Sequence, residues 1–129
     1  MSENRELEVR AYTLWDLFLH PNQSSKLGRC YAQPREDLRS FSKMAFREIS
    51  ELFDEVVPGW ERAVDELWKP SSKSLVIRGD PHSRLKVHLI PKYQTRRELE
   101  PNRDSRPILL QIRDLISYKL ADYRNAWEG

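Results

Sequence analysis

Three histidines, one cysteine and a basic segment carry most of the chemistry open to this chain. His20, His82 and His88 are its imidazoles and Cys30 is its single thiol. A metal site takes three or four converging ligands. These histidines are far apart in sequence, and no cysteine or acid stands beside them at metal-ligand spacing. His88 lies in Lys86-Val87-His88-Leu89-Ile90-Pro91-Lys92-Tyr93, without the second histidine that a His-apolar-His pair on one strand would need. The expectation is therefore no metal and no cofactor, with His82 a turn residue and His88 a strand residue. Cys30 could serve as a nucleophile only if a histidine reached it in the fold. No flanking signature supports that, and a lone cysteine beside Tyr31 reads as a small apolar residue. Tyr118 and Tyr123 fit a helix face better than a nucleophile's place. No catalytic residue is assigned, and the chain is expected not to be an enzyme.

The strongest functional candidate is the segment 91–106, which holds Lys92, Arg96, Arg97, Arg103 and Arg106 together with Tyr93. Lys and Arg neutralise phosphates, and an aromatic ring can stack on an unpaired base. Arg84 and Lys86 just before it, and Arg113 after it, would extend the surface. Glu98, Glu100 and Asp104 interrupt the run, so a solvated loop paired with acidic residues is the competing reading. Arg78-Gly79-Asp80 spells an adhesion tripeptide, which reads here as ordinary turn chemistry.

Charge is distributed unevenly. Residues 1–68 hold 9 Lys/Arg against 13 Asp/Glu, whereas residues 69–129 hold 13 against 7. A basic half attracts an acidic partner and raises its encounter rate. At 129 residues, with 39% hydrophobic and 33% charged residues, a single domain over 1–129 is expected, made of an acidic half 1–68 and a basic half 69–129. One cysteine excludes an internal disulfide. The start Met1-Ser2-Glu3-Asn4-Arg5-Glu6 lacks a signal peptide's pattern, and no apolar run approaches the ~20 residues of a membrane span. A soluble intracellular protein, cytoplasmic or nuclear, is expected.

The elements that must position these residues follow from periodicity. Leu7, Ala11, Leu14 and Phe18 fall at helical spacing, which predicts a helix over 4–20. Residues 21–33 read as a loop. Pro34, with Glu36 and Asp37, suits the first turn of a second helix, whose stripe runs through Leu38, Phe41, Ala45, Ile49, Leu52 and Val56 and which Pro58-Gly59 ends. A short helix is predicted at 60–68. The alternation of Leu85, Val87 and Leu89 with Lys86, His88 and Ile90 predicts a β-hairpin over 74–90. Pro107 opens a final helix.

These readings combine into an α+β, helix-dominated fold of about four helices with one small antiparallel β-hairpin. The expected function is a non-catalytic binding or regulatory protein within an assembly, its basic half contacting nucleic acid. The alternatives are a protein–protein adaptor or homo-oligomeric subunit, and third an enzyme without a recognisable motif. Self-association is expected because a lone hairpin leaves two open edges. Trp127, close to the C-terminus, is the residue most expected to face a partner protein, since Trp is enriched at interfaces.

Overall fold

A computed structural model describes residues 5–80, 82–94 and 105–128. Its centre is a five-stranded antiparallel sheet in the order β1-β2-β3-β5-β4. The strands are β1 (Glu8–Ala11), β2 (Trp15–Leu19), β3 (Cys30–Pro34), β4 (Ser72–Asp80) and β5 (Ser83–Lys92). This overturns the helix-dominated reading with four helices and one small hairpin. The hairpin exists as β4–β5, but β5 also pairs with β3, Tyr31 opposite His88. The premise of self-association, a hairpin with both edges open, falls with it, and the helical, oligomeric picture is withdrawn.

The segment read as the first helix is β1 and β2. Its helical spacing was coincidental. Trp15, Asp16, Leu17, Phe18 and Leu19 are all buried, because β2 is covered on both faces. Burial on both sides erases the period-2 signal that marks a half-exposed strand. The chain reverses between the strands where the Tyr12 N–H bonds the Trp15 carbonyl at 2.7 Å. Trp15 points into the core and its Nε1–H donates to the Glu48 carbonyl at 2.8 Å.

The second helix starts later and ends later than its stripe suggests. Cys30–Pro34 is a strand, and α1 begins only at Phe46, where the Glu48 carboxylate accepts the Ala45 N–H at 2.7 Å. Phe41, on a separate 3-10 turn, is therefore exposed, as are Phe46 and Phe53. α1 (Phe46–Glu51) passes through a π turn (Leu52–Val56) directly into α2 (Val57–Leu67). Pro58 has no N–H to offer the carbonyl four residues back, and its ring crowds that carbonyl. The wider turn, closed by the Val57 N–H on the Leu52 carbonyl, lets the helix continue. The last helix, α3, spans Arg106–Glu128.

One face of the sheet is the core. Leu17, Leu19, Cys30, Ala32, Leu85, Val87 and Leu89 pack there with Leu52, Val56, Trp60, Ala63 and Val64, and α3 adds Leu109, Ile112, Ile116 and Leu120. Among the described residues no helix is long and apolar enough to cross a membrane.

Candidate functional site

Strand alternation sends the other half of the side chains to the face that the helices leave open. Arg84, Lys86 and His88 on β5 stand beside Tyr31 and Gln33 on β3 and beside Asp16 and Phe18 on β2. The ladder continues one step past β2 and β3, where the His20 N–H bonds the Arg29 carbonyl at 3.0 Å. His20 and Arg29 thereby join the same face. Arg78 comes from β4, opposite Lys86.

The rings form one cluster. Phe18 stacks on Tyr31 at 5.2 Å between centroids. His20 lies 6.1 Å from His88 and 6.3 Å from Tyr31, and Tyr31 lies 6.1 Å from His88. The Lys86 ammonium sits 5.1 Å from the Tyr31 centroid, a cation–π contact. His20 and Arg29 are held by the loop between them. The Gln23 Nε2 group donates to the carbonyls of His20 and Arg29 at 2.7 and 2.9 Å, and its Oε1 accepts the Gly28 N–H at 2.7 Å. Gly28 has φ 98°, open to glycine at little cost, and its missing side chain leaves room for Val64 and Trp68. The Trp60 indole and the Tyr93 hydroxyl tie down the carbonyls of Gly28 and Leu27, at 2.8 and 2.6 Å.

The cluster is strongly positive. Among the described residues no carboxylate lies within ion-pair distance of Arg29, Arg78 or Lys86. Burial, reinforced by Arg29, His88, Lys86 and Lys26, pushes His20 down to about 4. Burial, then Arg29, Arg78 and Lys86, pushes His88 down as well. Both imidazoles are thus uncharged at neutral pH. Two buried nitrogens of the cluster, Arg29 Nε and His88 Nδ1, have no hydrogen-bond partner. Buried polar atoms are nearly always paired, so the Arg29 Nε–H calls for an acceptor, and His88 Nδ1 for an acceptor or a donor according to its tautomer.

The expected site residues separate. Arg84 and Lys86 reach the open face, and Arg84 donates to the Pro34 carbonyl. Lys92 ends β5, while Tyr93 bonds Leu27. Arg106 pairs with Glu6, and Arg113 engages Asp114 and the Glu6 carbonyl. Arg96, Arg97 and Arg103 lie outside the described residues, and so does the side chain of Trp127. His82 sits exposed at the β4–β5 turn, six residues along the strand from His88, or ~20 Å. Cys30 is fully buried against the core, and burial raises its thiol far above the usual range, so it is no nucleophile. Sequence reasoning missed Arg29, Tyr31 and His20 as site residues, and it read Arg78 as turn chemistry where the structure places it in β4 opposite Lys86. The alternation of Arg29, Tyr31 and Gln33 with Cys30, Ala32 and Pro34 was the available signal.

No family model matches the sequence, and no curated protein matches it either. Solved structures do match its shape, and they give it the fold of the histidine triad proteins. A zinc-bound histidine triad family protein from Mycobacterium smegmatis aligns with TM-score 0.71 at 14% identity, over 93% of this chain and 87% of that one. A hypothetical histidine triad nucleotide-binding protein from Sulfolobus tokodaii gives 0.69 at 16%, over 94% and 89%. Plasmodium falciparum diadenosine triphosphate hydrolase gives 0.71 at 10%, over 93% and 80%. A fold shared with nucleotide-binding proteins and a hydrolase overturns the expectation of a non-catalytic regulatory protein docked on nucleic acid, and with it the expectation that the chain is no enzyme. This chain gathers two of its three histidines. Zinc does not fit them: no group of three His, Cys, Asp or Glu side chains converges among the described residues, and three cations repel a divalent ion.

Proposed function

We propose that the open face binds a nucleotide by its phosphate and acts on that phosphate as a hydrolase or transferase. The observation that carries this reading is the set of cations Arg29, Arg78 and Lys86 without acidic partners among the described residues, closed around two uncharged imidazoles and an aromatic ring. Phosphate oxygens would pair with the Arg29, Arg78 and Lys86 cations and neutralise the field. Tyr31 offers a partly open ring beside them. His88 carries a lone pair that attacks phosphorus or accepts the proton of an attacking water, while His20, whose Nδ1 accepts the Asn22 N–H at 3.0 Å, keeps its proton on Nε2 as a donor to a phosphate oxygen. The three cations stabilise the charge that gathers on the phosphoryl oxygens as the P–O bond to the leaving group breaks. The structural neighbours include a histidine triad nucleotide-binding protein and a diadenosine triphosphate hydrolase, which favours the same ligand class.

The test is calorimetric titration with nucleoside mono- and triphosphates and with a dinucleoside triphosphate, alongside chromatography of the products. Binding should weaken with salt, Lys86→Ala should weaken it further, and His88→Ala should abolish turnover while the fold persists. Absence of binding at millimolar nucleotide and low salt would remove the proposal.

A further inference from the structure

Toward β1 and the start of β5 the open face dips into a cleft of about 330 Å³ lined by Arg5, Glu8, Asp16, Arg35 and Arg84. Its buried carboxylate is unusual. Asp16 is 7% exposed, yet its Oδ1 accepts no hydrogen bond. Arg35 Nη2 stands 3.3 Å from Oδ1 and Arg5 Nη1 3.5 Å from Oδ2, ion pairs at the long end of hydrogen-bond range. The carboxylate is neutralised but keeps unused acceptor capacity, which a ligand reaches as the half-exposed Arg35 beside the covered Oδ1 swings aside.

We propose that this cleft reads the base of the bound nucleotide and selects guanine. The inference rests on the nucleotide reading above and goes beyond it. A second phosphate is disfavoured by the Asp16 and Glu8 carboxylates, and a cationic amine by three guanidinium groups. A neutral ring that offers donors and an acceptor on one edge satisfies both. Guanine presents N1–H and the 2-amino group side by side, a match for one carboxylate, with O6 next to them for a guanidinium. Adenine presents one amino donor beside a lone pair that would face Asp16. The placement is consistent with one ligand. Asp16 and His88 are two strands and two residues apart, about 12 Å, and the Phe18–Tyr31 pair lies between them.

Guanosine, inosine and adenosine monophosphates, titrated into the full chain, test this. Inosine lacks only the 2-amino group. A hydrogen bond to a charged group corresponds to about 10- to 100-fold in affinity. Guanosine monophosphate should bind tightest, inosine monophosphate about tenfold or more weaker, and adenosine monophosphate weaker again. Asp16→Asn should compress the series, and the wild-type series stands even if that variant does not fold. Equal, measurable affinities for all three would overturn guanine selection while sparing the nucleotide reading. Binding of none would overturn both.

Discussion

Lowering the pH from 7 to 5 should destabilise this protein through His20 before most carboxylates titrate. The imidazole has an ordinary value of 6.5 and is pushed down to about 4 in the fold by burial and by Arg29, His88, Lys86 and Lys26. The unfolded chain therefore binds a proton that the folded chain refuses, and stability falls as pH drops from about 6.5 to about 4. Integrating between pH 7 and 5 with these two values gives at most about 2 kcal/mol. Solvent screening of a partly exposed group brings this to about 1 kcal/mol. His88 is shifted the same way and adds to the loss. Urea denaturation at pH 7 and pH 5 measures the difference, and His20→Gln should show a smaller one than the wild type. A stability that is flat across this range, or a His20 resonance titrating near 6.5, would refute the crowded cationic cluster.

Other expectations follow from single contacts. Trp60→Ala should cost about 3–5 kcal/mol, since Trp60 is buried and its indole anchors Gly28, whereas Phe46→Ala should stay within about 0.5 kcal/mol because Phe46 is exposed. Gly28→Ala should cost more than about 1 kcal/mol in thermal denaturation, with φ at 98° and a new Cβ within 2.9 Å of Val64. Lys86→Gln should raise the titration midpoints of both His20 and His88 in proton NMR, because Lys86 contributes to both depressions.

How far the sequence could lead depended on whether a signal was local. The alternation of Leu85, Val87 and Leu89 with Lys86 and His88 sorted β5 into its core face and its open face, because one side is apolar and the other is not. The same logic failed at Trp15–Leu19, where Phe18 and Asp16 are buried on the second face and the alternation disappears. Cys30–Pro34 looked like loop because Pro34 and Gln33 are poor strand formers, though the register of β3 against β2 and β5 holds it. The site itself was illegible for a topological reason. His20 and His88 meet only because β3 slots between β2 and β5, a pairing across more than fifty residues that no spacing rule reveals. Lys86 and Arg84 could be named as basic residues, but not Lys86 as a neighbour of Tyr31 or Arg84 as a donor to the Pro34 carbonyl.

In the proposed complex a nucleotide's phosphate sits between His20, His88 and the three cations. Proton NMR of the three histidines during titration with guanosine monophosphate tests it most directly. The His20 and His88 imidazole signals should move and their titration midpoints rise, since a bound anion offsets Arg29, Arg78 and Lys86, while the His82 signals at the far turn stay still. Unmoved His20 and His88 signals at saturating nucleotide, or equal movement of His82, would contradict it.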